Sequence, residues 1–464
     1  MLNKLIVPIG PVSQQNLTLI MPSQQITLIT MILLGSCACA AALTELGNPG
    51  NVIGRMRGNI FRNLTKTQQY ENNIVTSRLD SSAQIRKLYR NFRELYSRLL
   101  GGTGQRTSGD FLQKRIPNNI PFPCRGEGYR SRTIPTSVHQ LRPGDIDIVA
   151  AMGDSLTAAT AANSRTLLEV LVENRGVSWS IGGQGTWRSH LTLPNILKVF
   201  NPKLFGYSLS DAYNVHRSAQ FNVAENIAAT SDMPYNAEKL VKRMKLDARV
   251  DMQNHWKLLT LMIGGNDFCS DICYQTNATL WMNESQERNL IKTLRYLRDN
   301  MPRTLVNLVP TPLVNLMFSL YEMKVPFTCS LSLPIECSCL FGPKYSSHRS
   351  LYRQKERNFA KIMENVSFLP EFTTDNFAVV YQPSLKDSSV FYNKGKADLK
   401  IMAADCLHLS QKGHAVSANA LWNNMMQRVG QKSSGLLPLF KEFRCPTKTQ
   451  PYILTNRNSG RSRR

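Results

Sequence analysis

Negative charge is scarce in this chain. Its 464 residues hold 32 Asp and Glu against 56 Lys and Arg, a formal charge of +24, and the first 42 residues contain no acid at all. Such a balance favours anionic partners: acidic lipid surfaces, acidic glycans or nucleic acid. A solvated basic face without a partner accounts for it equally well. Long apolar runs are scarce too. The best, "ITLITMILLGSCACAAA" at 26–42, is shorter than the ~20 residues a spanning helix needs. Also missing are CxxC pairs and histidine clusters, which argues against a zinc site. No metal and no cofactor is expected.

The apolar run ends in small residues. Ala38-Cys39-Ala40 fits a signal-peptidase site, so residues 1–42 read as a signal peptide. The stretch ahead of that run carries only Lys4 as a charge, and Met21 and Met31 are alternative starts behind an upstream extension. Secretion is the expected destination, with anchoring by an uncleaved N-terminal segment as second choice. Beyond residue 42 eight cysteines remain, an even number suited to disulfides in an exported chain: Cys124, Cys269, Cys273, Cys329, Cys337, Cys339, Cys406 and Cys445. Eight cysteines allow roughly a hundred pairings. Proximity suggests Cys269 with Cys273 and Cys329 with Cys337 or Cys339, while Cys124 and Cys445 would tie the ends of one domain. The sequons at Asn63, Asn277, Asn283 and Asn365 are glycosylation candidates.

Residues 43–120 form a basic preamble and linker. Between 51 and 133 there are 16 Lys or Arg against 5 Asp or Glu, so +11 of the excess lies there. Ile85, Leu88, Phe92, Leu95 and Leu99 recur at three- and four-residue steps, one face of a helix stopped by Gly101-Gly102. Its arginines could draw it to anionic lipid, although such a stripe more often packs on a neighbouring domain. No recognised nucleic-acid module accompanies the charge, so no nucleic-acid partner is expected.

From about residue 121 apolar strands alternate with helices. The strands are expected at 146–152, 178–181, 257–263, 304–309 and 377–382. The helices are expected near 164–173, 236–246, 286–300, 351–364 and 413–428. That alternation predicts a three-layer α/β/α sandwich with a mostly parallel sheet. In such sheets ligands bind beyond the carboxyl ends of the strands. Three motifs fall there. "MGDSL" sets Ser155 just past the first strand, "IGGNDF" sets Asn266 past another, and "DCLH" puts Asp405 and His408 in a loop before the last helix. A serine hydroxyl needs a base, and an imidazole needs a carboxylate to hold its tautomer. A side-chain amide after a strand can donate to an oxyanion. Taken singly, each motif also reads as a turn or a packed loop. His414 is a rival base, but "KGH" suits a helix start better.

In this order the motifs resemble the SGNH branch of the GDSL hydrolases. Longer strings, among them "GDIDIVAAMGDSLTA", "SWSIGGQGTWRSHLTLPNILKVFNPKLFGYS", "NFAVVYQP", "DCLHLSQKGHAVSANALWNNM" and "RCPTKTQPYILTNRNS", are similar to the repeat unit of animal phospholipase B. The resemblance covers residues 121–459, leaving 460–464 as a basic tail. It implies a flavodoxin-like fold and a serine esterase acting on glycerophospholipids and lysophospholipids at membrane or micelle surfaces. Ser155 would be the nucleophile, His408 the base and Asp405 its orienting acid. The oxyanion hole would comprise the N–H groups of Ser155 and residue 227 with the amide of Asn266. Asp154 reads as an acceptor that fixes the turn. The chain departs from the family twice: Ile227 stands where a glycine is expected, and "ATAANS" replaces a glycine-containing stretch after the serine. A carbohydrate O-deacetylase of the same fold and a catalytically weakened lipid-binding relative are the alternatives.

Overall fold

The computed structural model describes residues 109–460 except 127, 276, 313–315, 317–324 and 394–395, together with Leu95. The signal segment, Asn63 and most of the preamble, all of 43–108 but Leu95, therefore lie outside the described residues. Of the expected preamble helix only Leu95 is described, helical and exposed.

Four parallel strands form the sheet: β1 (Ile148–Gly153), β2 (Lys257–Ile263), β3 (Thr304–Pro310) and β4 (Phe377–Tyr381), in the order β1-β2-β3-β4. Every residue of all four is buried. Strands buried along their whole length need cover on both faces. One layer is α2 (Met233–Lys245), α3 (Glu287–Asn300) and α5 (Arg349–Ser367), following α1 (Leu193–Phe200) in the chain, with α4 (Phe327–Glu336) inserted before α5. In that layer α2 packs on α3 and α3 on α5. The other layer pairs α1 with α6 (Gln411–Met425), whose Met425 sulfur meets the Asn307 amide of β3. No helix among the described residues is long and apolar enough to cross a membrane.

Two expected elements differ. Residues 178–181 are a turn, not a strand: Trp179 is fully buried and its N–H meets His414 Nδ1 at 3.3 Å. The free edge of β1 is lined instead by Phe205 and Phe221–Val223, whose backbones bond to Asp147, Val149 and Ala151. Burial, rather than strand geometry, made "SWSI" apolar. Of the helix expected at 164–173 only a single 3₁₀ turn forms, at Leu167–Glu169.

Disulfide pairing also corrects the proximity argument. Cys124 pairs with Cys445 as expected, but Cys269 pairs with Cys337, Cys273 with Cys339, and Cys329 with Cys406. Cys269 and Cys273 stand about one helical turn apart just after β2, so both sulfurs face the same neighbour rather than each other. Neighbours in space won over neighbours in sequence.

Candidate active site

The serine turn is built by close packing. Gly153 ends β1 with φ +143°, and a Cβ there would meet the Met262 carbonyl oxygen of β2 at 2.2 Å. Only glycine lets the two strand ends approach so closely. Asp154 then caps the one-turn helix Ser155–Ala158, its carboxylate accepting the Leu156 N–H at 3.0 Å. Burial raises the Asp154 pKa to about 6, opposed by that N–H and by the charge of His408. This is the turn-fixing role expected of it. Along Ala151–Ser164 every residue is buried except Ser155, which is half-buried. The turn thus presents one side chain.

The segment carrying Ile227 is clamped on three sides. The Glu225 N–H donates to the Gly153 carbonyl at 3.0 Å. The Thr230 N–H donates to the Asp267 carboxylate at 3.0 Å. Arg175, fully buried, donates from Nη1 to Asn222 O at 3.1 Å and from Nη2 to Ala224 O and to Glu173 Oε2, both at 2.7 Å. Neither Arg175 nor Asp267 stood out as a clamp in the sequence, because a lone "ENR" or the second residue of "ND" carries no such signal. Asn266, past β2, donates from Nδ2 to Ala228 O at 2.9 Å, which leaves one amide hydrogen for another acceptor.

Ile227 has φ +58°, Ala159 +54° and Ala161 +61°. All three occupy the left-handed region, which costs an L-residue roughly 1–2 kcal/mol and a β-branched one more. The two departures from the family pattern therefore fall on backbone suited to glycine.

The imidazole comes from the other end of the chain. Asp405 accepts the Leu407 and His408 N–H groups at Oδ1, both at 3.0 Å, and faces His408 Nδ1 from Oδ2 at 2.7 Å. Cys406 takes φ +60° between them. Ser164 Oγ accepts the Ala404 N–H at 3.3 Å, and the Ala162 carbonyl accepts the Gln411 N–H at 2.8 Å. These contacts lay the loop against the segment that follows Ser155. Burial alone would lower the His408 pKa, but the charge and hydrogen bond of Asp405, joined by the charges of Glu336 and Asp154, outweigh it and raise the value to about 9. Asp405 is correspondingly held below its ordinary value: burial opposes this, and the His408 charge and hydrogen bonds prevail. His414 is the opposite case, pushed down to about 3 by burial and by the charge of His408, with Nδ1 engaged by Trp179.

A further carboxylate, Glu336, lies 3.8 Å from His408 Nδ1. Donor atoms of Glu336, Asp405 and His408 all lie within 4.8 Å of one another. With Nδ1 already bonded to Asp405, the trio reads as an acid–base cluster.

The profile described as GDSL-like Lipase/Acylhydrolase matches residues 149–421, from β1 through most of α6. The chain belongs to this family. Relatives similar to this chain include "Phospholipase B1, membrane-associated" from Rattus norvegicus, 36% identical over 342 residues, and its namesake from Homo sapiens, 36% identical over 336. The first alignment covers 73% of this chain and 23% of the relative; the second covers 71% and 23%. The chain thus spans about a quarter of the length of the curated relatives it matches. Among solved structures, phospholipase A1 from Streptomyces albidoflavus NA297 aligns over 60% of this chain and 98% of its own at 13% identity. The TM-score of that alignment is 0.30. The GDSL motifs of this chain fall inside the matched span, at Ser155, Asn266, Asp405 and His408.

Of the glycosylation candidates, Asn365 is exposed on α5, while exposed Asn277 uses its side chain to cap a short helix at Thr279 and Leu280. The side chain of Asn283 lies outside the described residues.

Proposed function

We propose that this chain hydrolyses fatty-acyl esters of glycerophospholipids and lysophospholipids through an acyl-serine intermediate. The observation that carries the reading is the 2.7 Å contact between Asp405 and His408 Nδ1, in a loop laid against the segment that follows Ser155. With Nδ1–H held by the carboxylate, Nε2 is the nitrogen left to take a proton. Ser155 Oγ attacks the acyl carbonyl carbon while His408 accepts the hydroxyl proton and Asp405 stabilises the imidazolium. The N–H groups of Ser155 and Ile227 and the second amide hydrogen of Asn266 receive the oxyanion. The same proton then passes from His408 to the departing glycerol oxygen. Water next attacks the acyl-serine, with His408 again as base, and releases the fatty acid.

The substrate class rests on the phospholipase B relatives, and the site of action on the four disulfides and the signal-like leader. We place the protein outside the cell, working on lipid at a membrane or micelle surface, with the basic preamble attracted to anionic headgroups. The test uses purified protein on phosphatidylcholine, lysophosphatidylcholine and acetylated sugars, with Ser155→Ala alongside. Fatty-acid release that disappears in the variant is the expected result. Acetate release alone would make the chain a deacetylase, and lipid binding without turnover a binding relative.

A further inference from the structure

Asp405 is not the only carboxylate on the Nδ1 side of His408. Three residues of α4, Cys329, Ser332 and Glu336, recur at the i, i+3, i+7 spacing of a single helix face. In turn they meet the catalytic loop: Cys329 is bonded to Cys406, Ser332 Oγ donates to the Asp405 carbonyl at 2.6 Å, and Glu336 Oε2 stands 3.8 Å from His408 Nδ1. The next residue, Cys337, is bonded to Cys269 just beyond Asn266. Both ends of α4 are therefore fastened to the site, and its last residue is held against the imidazole.

We propose that Glu336 is a positioning residue for His408, a second carboxylate that shares the imidazolium with Asp405 and holds the ring when Asp405 is removed. A shift of about 1 Å would bring Glu336 within hydrogen-bond reach of Nδ1. The other titratable groups facing His408 are Asp154 at the end of β1 and His414 on α6. Burial and the charge of Asp405 raise the Glu336 pKa to about 8, and the charge of His408 opposes them. Glu336 therefore gains its charge as the solution becomes alkaline, the range in which His408 must lose its proton to act as base. An ionised Glu336 delays that loss.

The inference rests on the acyl-serine reading, but its first test does not need turnover. Imidazole ¹⁵N signals of His408 would be titrated in Ser155→Ala and in Ser155→Ala/Glu336→Gln. The titration midpoint is expected to fall by about one pH unit when the carboxylate is lost. An unchanged midpoint overturns the proposal. The second test compares turnover of Asp405→Ala with Asp405→Ala/Glu336→Gln, both checked for native circular dichroism. The double variant is expected to lose a further ~10- to 100-fold, since its imidazole keeps neither carboxylate at Nδ1 to orient it. Equal rates overturn the proposal. If wild type shows no esterase activity while the ¹⁵N midpoint still moves, the catalytic reading fails and the electrostatic pairing stands.

Discussion

The two halves of the site are held together by different forces. Ser155, Ile227 and Asn266 follow the ends of adjacent strands or lie beside them. Backbone hydrogen bonds and a buried arginine keep them in place, against the strain of left-handed residues where glycine would fit better. Asp405 and His408 sit on a loop with little regular structure, held by a disulfide, a charge pair and the face of α4. The first half draws its position from the sheet. The second is placed by contacts between segments far apart in the chain, and so depends on cross-links and charge.

The largest test removes chemistry from the first half. Ser155→Ala should lower kcat for ester hydrolysis about a million-fold while leaving the unfolding midpoint in urea unchanged. If that rate survives, the nucleophile lies elsewhere. Next comes the clamp. Arg175→Met should destabilise the fold by about 3–5 kcal/mol, because Glu173 would stay buried without its guanidinium. Urea unfolding measures this, and a loss below about 1 kcal/mol would show that the first half does not depend on the arginine.

Two tests address the second half. Cys329→Ser/Cys406→Ser should cost about 2–4 kcal/mol and also lower kcat. Removing the remote Cys124–Cys445 pair should cost stability alone. Equal effects on kcat would erase the contrast between the halves. The pH dependence follows from His408, whose pKa rises from 6.5 to about 9 on folding. Catalysis needs the neutral imidazole, so kcat/KM should climb about tenfold per pH unit from pH 7 and level off near pH 9. The stabilisation has the opposite sign: it is fully present below pH 6.5 and lost as pH rises through about 9. A flat profile from pH 6 to 8 would mean that the pair is not charged at neutrality.

The smallest effect returns to the strained backbone. Ile227→Gly should relieve the left-handed conformation and gain about 1 kcal/mol or less, since the freer unfolded chain offsets part of the relief. A small rise in melting temperature with kcat kept or increased is expected. A clear destabilisation would show that Ile227 is held by packing rather than tolerated.

Much of the first half was legible in the residues. Continuous apolar runs marked all four strands to within two residues at either end, because a strand buried on both faces has no polar alternation to blur it. "GDSL" and "GGND" follow the ends of β1 and β2 and "DCLH" precedes α6, so candidate site residues stand out in the sequence at element boundaries. The failures share one cause. "SWSI" is apolar because it packs beneath α6, and burial alone does not say whether a segment is strand or turn. Proximity in sequence suggests Cys273 for Cys269, whereas its partner arrives from 68 residues away.

By itself the sequence determined the layered α/β arrangement and the residues standing at the strand ends, because hydrophobic period and turn chemistry are local properties of the chain. Only the tertiary structure decided the partners of the six cysteines other than Cys124 and Cys445, the burial of Arg175, the left-handed backbone at Ile227 and the approach of Glu336 to His408. Each of these depends on which distant segments meet, and a contact across dozens or hundreds of residues leaves no periodicity to read.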